Sequence, residues 1–235
     1  MPPTRQKPIV AIDGPAGSGK STVAKLVARA AGLQFVSSGA FYRAVALLAV
    51  RGGIIATDEV ALVGLADSLH LRFTTDADGT VHAWLDEDDV TDALRDPSVE
   101  QMASKIAIIP DMRAHLVRKL REYGRDGGLV MEGRDIQTVV FPDAEVKVYL
   151  TASDEERARR RWEELRAGGE AVSFASVLAE VKTRDARDSG RDAAPLRAAP
   201  DAVCINTDGR AITQVVDAVL ALFPVIDSSL KTPDG

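Results

Sequence analysis

Residues 14–21, Gly-Pro-Ala-Gly-Ser-Gly-Lys-Ser, constrain this chain more than any other stretch. They fit the pattern G-x-x-x-x-G-K-[ST] and follow an apolar run, Pro8–Asp13, that reads as a buried strand. Behind them Val23, Leu26, Val27 and Ala30 recur at helical spacing from Lys20 to Ala31, with Gly32 as a stop. A strand, a glycine loop and a helix in that order make a phosphate cradle. The glycines let successive N–H groups face a β-phosphate at the positive end of the helix. Lys20 is expected to bridge β- and γ-phosphates, and Ser21 to offer its hydroxyl to Mg²⁺. The expected cradle comprises Gly14, Pro15, Ala16, Gly17, Ser18, Gly19, Lys20, Ser21 and Thr22. It implies a nucleoside triphosphate without saying what becomes of it.

The rest of the chain alternates helix and strand signals. Strands are expected at 34–36, 128–131, 146–150 and 203–206. Helices are expected at 40–50, after Thr57 as cap (with Val60, Val63 and Leu69 on its face), after Asp96-Pro97, after Pro110-Asp111, after the capping box at 153–156, after Ser173, and at 211–223. Strands separated by helices predict a parallel, helix-covered sheet of the α/β class, here of five strands. One piece differs: Leu71–Thr75 and Val81–Leu85 alternate about Asp76-Ala77-Asp78-Gly79, a hairpin signal. We expect one domain over 1–235, a region 38–105 carrying an inserted antiparallel subdomain near 70–95, a helical lid over 154–191, and loose ends at 1–7 and 228–235.

Charge is distributed unevenly over the 235 residues. The net value of −6 combines +6 over residues 1–51, where seven basic residues meet one acidic, with −10 over 52–104, where two meet twelve. Arginine outnumbers lysine 21 to 8, which suits anionic ligands, although solvated helix faces explain most of it. A single cysteine, Cys204, excludes a disulfide framework and is expected as a buried thiol on a strand. The longest apolar run, Ala218–Ile226, has nine residues against the ~20 of a spanning helix. The N-terminus has no apolar stretch of the kind a secretion signal needs. The expectation is a cytoplasmic monomer with no membrane partner. Aromatics at 5% are too few for a nucleic-acid stacking platform, so no nucleic-acid partner is expected.

A switch GTPase is disfavoured: Asp76–Gly79 fits D-x-x-G only on a hairpin turn, and no [NT]-K-x-D occurs. The arginines favour a small-molecule kinase. Arg43 begins an apolar helix, and Arg113 shares a face with Leu116, Val117 and Leu120. Glu132-Gly133-Arg134-Asp135 follows a strand at the carboxyl edge, where open α/β sheets bind ligands. The apolar stripe of Phe174, Val177, Leu178 and Val181 continues through Arg184, Asp188 and Arg191. Arg157, Arg160 and Arg161 cluster on the preceding helix, where Glu155–Arg159 and Glu156–Arg160 pairs offer the alternative of a salt-bridged face. His70, His82 and His115 follow no metal-ligand spacing.

With these residues in hand, the chain resembles the bacterial cytidylate kinases, P-loop nucleoside monophosphate kinases, from about Ile9 to Phe223. The resemblance rests on Asp13–Ser21, Ser38–Arg43, Glu132–Asp135 with Thr138–Ala144, Arg184–Asp188 and Ala194-Pro195-Leu196. It implies transfer of the ATP γ-phosphoryl to CMP or dCMP with Mg²⁺ as cofactor. By position it assigns Lys20, Arg134 and Arg184 to catalysis. Arg43, Arg134 and Arg191 would hold the CMP phosphate, Ser104, Arg113 and Asp135 the cytosine, and Arg184 and Asp188 the sugar, with Ser38 in the same site. Glu132 would reach Mg²⁺ through water and Ser21 directly. A carboxylate suits the N4 amino group of cytosine and repels the O4 acceptor of uracil. Two positions depart from the family pattern, Ser37 and Glu132, where Asp is common. The alternatives are a P-loop kinase for another small acceptor, such as UMP or shikimate, and a nucleotide-sensing module without turnover.

Overall fold

The computed structural model describes Arg5, residues 7–189 and residues 196–223, with only the helical backbone at 187–189. Strand β1 (Ile9–Asp13) is apolar and buried throughout its first four residues, which places it in the middle of a sheet. Its neighbours are β6 (Leu129–Gly133) and β7 (Val146–Thr151). The sheet is completed by β2 (Gln34–Ser37) and β8 (Val203–Asn206), in the order β2-β6-β1-β7-β8, and every pairing is parallel. Helices α1 (Lys20–Ala31) and α2 (Ser38–Arg51) pack on the sheet, α8 (Ile212–Leu220) packs on α1, and α5 (Pro110–Tyr123) packs on α2 and on the turn Ile136–Val140. This is the expected P-loop kinase architecture. The carboxyl ends of β1 and β6 lie side by side although Ile9 and Leu129, their paired first residues, are 120 positions apart.

The insertion is also as expected: β3 (Leu71–Thr75), β4 (Val81–Leu85) and the two-residue β5 (Asp88–Asp89) form a separate antiparallel sheet. Its inward residues Leu71, Phe73, Val81, Ala83 and Leu85 join the main core, with Phe73 against Phe35, Phe41 and Tyr123. Its turn docks on the far end of α1, where Arg29 donates to the Asp78 carbonyl at 2.9 Å. Helix α4 (Pro97–Ile106) packs on α2. Helices α6 (Asp154–Ala167) and α7 (Phe174–Ser189) pair through a small core of their own, Ala158, Val177 and Val181 with Trp162, Leu165, Val172 and Leu178 around them. Gly168 and Gly169 separate the two helices, as expected.

Several local expectations are corrected. Helix α2 begins at Ser38, before Ala40, and α8 ends at Leu220, before Phe223. Helix α3 (Glu59–Asp67) is capped by Asp58, whose carboxylate accepts from the Ala61 N–H at 3.1 Å, and not by Thr57. That register buries Leu62 and Ala66 and leaves Val60 86% exposed, off the core face. Arg5, expected in a loose end, is fastened to Asp143 at 2.6 Å and Glu145 at 3.2 Å. Cys204 is exposed, not buried, because β8 is an edge strand of which only Ile205 turns inward. Among the described residues no helix is long and apolar enough to cross a membrane.

Candidate functional site

The site grows from the end of β1. Gly14 follows Asp13 with φ of +158°, and a Cβ there would stand 2.2 Å from the Leu150 carbonyl oxygen. Only glycine lets the chain turn so close to β7. At Gly17, with φ of +75°, a Cβ would meet the Arg157 carbonyl at 2.9 Å. The loop then enters α1, whose first residue, Lys20, is buried and donates to the Pro15 carbonyl at 3.3 Å. Burial pushes the Lys20 ammonium down to about 7. Arg134 and Arg184 push the same way, while Glu132 and Asp13 oppose them. A buried lysine among arginines is a cation whose complement is a bound anion. Ser21 and Thr22 lie exposed on the first turn.

Two of the three expected lid arginines contact this loop's carbonyls. Arg157, buried, donates to Ala16 O at 3.0 Å and Ala152 O at 3.1 Å, and pairs with Asp154 at 2.6 Å and with Asp185. Arg160 bonds Glu156 at 2.8 Å and Thr207 at 2.9 and 3.0 Å, and reaches Gly17 O at 3.4 Å. Arg161 turns elsewhere, to Glu164 at 2.9 Å and across to Glu100 of α4 at 3.8 Å.

Beside the loop, β6 delivers Glu132–Asp135. Glu132 is buried and accepts from the Ser37 hydroxyl at 2.5 Å. The two positions that depart from the family pattern are therefore partners. Ser38, also buried, donates to the Glu132 carbonyl at 2.9 Å. Arg134 donates to the Gly14 carbonyl at 2.8 Å, tying this segment to the phosphate loop. Asp135 accepts from Arg113 of α5, whose other terminal nitrogen bonds Ala107 O at 3.2 Å. The polar residue on the apolar stripe of α5 is thus buried against a carboxylate. Arg43 of α2 has its pKa lowered by burial, with Glu132 and Glu100 opposing and Arg95 and Arg134 adding to the fall. Ser104 is half-buried on α4.

Helix α7 contributes Arg184, which acts on Lys20 electrostatically. Asp188 lies on the same helix, with its side chain outside the described residues. Arg191 lies outside the described residues altogether. Lys20, Arg43, Glu132 and Arg134 thus share one electrostatic neighbourhood, and Arg113 and Asp135 adjoin it.

Three residues of the site carried no role in the sequence. Asp13 accepts from two backbone amides of the segment after Asp135. Gln137 is buried within that segment, and the Thr207 hydroxyl bridges Ser18 O at 3.3 Å and Thr151 O at 3.2 Å. The one signal for Asp13 was a charge closing an otherwise apolar strand; Gln137 and Thr207 gave none.

The model of the family described as cytidylate kinase matches residues 10–224. A cytidylate kinase of Pelotomaculum thermopropionicum is 46% identical over 214 residues, 91% of this chain and 95% of the relative. One of Geobacter sulfurreducens is 47% identical over 209 residues, 89% of each. A bifunctional pantoate ligase/cytidylate kinase of Synechococcus sp. (strain JA-3-3Ab) is 46% identical over 94% of this chain, which spans only 42% of that longer protein. Among solved structures, an uncharacterized protein from Eubacterium ventriosum matches 92% of this chain and 97% of its own at a TM-score of 0.52 and 16% identity, a likeness of fold alone.

Proposed function

The chain belongs to the cytidylate kinase family, and on that premise we propose that it transfers the γ-phosphoryl of ATP to CMP and dCMP, giving ADP and the diphosphate. The observation that carries this reading is the hydrogen bond from Arg134 to the Gly14 carbonyl, 2.8 Å long. It joins the donor's phosphate loop to an acceptor-reading segment, Arg134-Asp135, across adjacent parallel strands.

In phosphoryl transfer, charge spreads over the moving group, and catalysis is mainly positioning and neutralisation. Lys20 lies in the loop that cradles the donor phosphates. Arg43 and Arg134 hold the acceptor phosphate against it, joined by Arg191. Arg184 brings a further positive charge toward Lys20. The acceptor phosphate, with a second pKa near ~6, is already ionised at neutral pH, so no general base is required. The histidines fit that economy: His70 faces Asp86, His82 faces Asp76 and Asp89, and His115 faces Asp67. Arg113 and Asp135 read the pyrimidine ring, with Ser104 beside them. Arg184 and Asp188 hold the sugar.

The donor set suits Mg²⁺ entering with ATP. Among the described residues no group of three or more His, Cys, Asp and Glu could cage a metal alone. An exposed Ser21 hydroxyl would hold the ion directly and the Glu132 carboxylate, fixed by Ser37, would reach it through water, the sparse protein contact Mg²⁺ takes beside substrate phosphates. When bound, the ion would neutralise phosphate charge. The α6–α7 pair is the lid, and its closure keeps water from the donor phosphate.

The test is ADP release measured side by side with CMP, dCMP, UMP and AMP. The reading requires CMP and dCMP to lead. Equal or better turnover of UMP refutes the cytosine assignment, and no turnover with any of them favours a nucleotide-sensing module.

A further inference from the structure

Asp13 is the single acidic residue among the first 51, and it closes a strand whose other residues are apolar. Its side chain is fully buried. A carboxylate in that position is unfavourable unless its oxygens are met by donors. Two backbone amides meet them: Ile136 N–H donates to Oδ1 at 3.0 Å and Gln137 N–H to Oδ2 at 2.9 Å. These are the first residues of a π-helical turn, Ile136–Val140, that begins directly after Arg134-Asp135. The opening amides of any helical turn lack partners within it, so the turn needs an external acceptor. A two-oxygen fork on two consecutive amides fixes both the position and the rotation of the turn.

The tie continues outward on both sides. The next residue along from Asp13, Gly14, accepts from Arg134. Gln137 is buried, and its side chain donates to Val148 O at 3.3 Å and accepts from Ala199 N–H at 3.0 Å. Ala199 stands in the segment that returns from α7 to β8. Asp13 therefore links the strand that launches the donor loop to the turn that presents the acceptor readers, and the Gln137 side chain carries that link on to the chain returning from the lid.

Resting on the kinase reading above, we propose that Asp13 is a positioning residue that sets the spacing between the phosphate loop and the Arg134-Asp135 pair, with Gln137 extending the same tie to Ala199. It touches neither substrate. Its effect is on the alignment of the two, where displacements near 1 Å are costly in rate.

Asp13→Asn is the test, because it keeps the shape and turns one acceptor into a donor facing an N–H. The expected result is a fall in kcat with CMP of roughly 10- to 100-fold. The CMP/UMP ratio of kcat/KM should narrow, while the KM for ATP changes little. A merely structural role would lower Tm and leave kcat and the ratio intact; that outcome overturns the proposal. Should D13N fail to fold, Asp13→Glu decides, since it keeps both acceptor oxygens and lengthens the tie by one methylene. Its kcat with CMP should fall several-fold with the ATP KM unmoved, and an unchanged kcat overturns the proposal. A wild-type protein that prefers an acceptor other than CMP or dCMP refutes the cytosine assignment, while loss of kcat on that acceptor in D13N still tests the spacing.

Discussion

Arg113 donates through Nη2 to the Asp135 carboxylate across 22 residues of sequence, and both side chains are buried. Each meets the other's charge within the fold. Removing one partner strands a buried charge, which costs about 3–5 kcal/mol. Asp135→Ala should therefore lower Tm by roughly 6–12 °C at the lower of those costs. It should also raise the KM for CMP and relax the CMP/UMP preference. The double variant Arg113→Met/Asp135→Leu should be more stable than D135A, read by thermal melts, and equally unselective. A preference that survives D135A removes Asp135 from base reading.

Arg134→Ala should cost kcat by about 100-fold as well as raising the KM for CMP, because the residue is expected to neutralise charge that develops during transfer. Steady-state kinetics with both substrates varied separates the two effects. A pure KM effect would limit Arg134 to docking the acceptor.

Lys20 predicts a proton balance. Its pKa in the ligand-free fold is about 7, down from 10.5 through burial first and Arg134 next. A lowered lysine favours folding fully above 10.5, and that contribution drains away as pH falls through 7. Bound triphosphate supplies the missing counter-charge and restores the ammonium. Nucleotide binding at pH 8 should therefore take up close to one proton, about one at most, measured by titration calorimetry in buffers of different ionisation enthalpy. Lys20→Met should abolish the uptake. Uptake that persists in K20M assigns it elsewhere.

Cys204 should react with a thiol reagent in the native protein at one equivalent without denaturant, because it is exposed on edge strand β8. Labelling that requires denaturant contradicts this placement. Cys204→Ser should leave Tm within about 1 °C, in keeping with an exposed site.

Periodicity and motif carried much of this architecture. The strand–loop–helix of 9–31, the hairpin of 71–85 and the position of Glu132–Asp135 at a strand's carboxyl end all follow from local pattern, because burial on one face imprints itself on neighbouring residues. Arg113 was legible for the same reason, as a charge on an apolar stripe. What stayed hidden is decided by distant chain. Whether Thr57 or Asp58 caps α3 depends on which register buries Leu62. That Arg157 fastens Ala16, 141 residues earlier, and that Ser37 answers Glu132 across 95, are facts of sheet order. Cys204 was misjudged because an edge strand and a central strand share the same short apolar signature.

The order β2-β6-β1 carries a consequence for biogenesis. Strand β6 inserts between two strands made about 90 to 120 residues before it, as the pairs Gln34–Leu129 and Ile9–Leu129 record. A nascent chain thus displays its phosphate motif long before the amides of Ile136 and Gln137 exist to receive Asp13. Until then β1 and β2 have no shared neighbour, and the nucleotide pocket has only one wall. A chain halted before residue 129 holds every glycine of the cradle and still lacks its central partner strand. Such high separation between partners slows folding and leaves apolar strands waiting. Synthesis past the motif is therefore not enough: the loop gains its outside partners only as Ile136, Gln137, Arg157 and Thr207 are made.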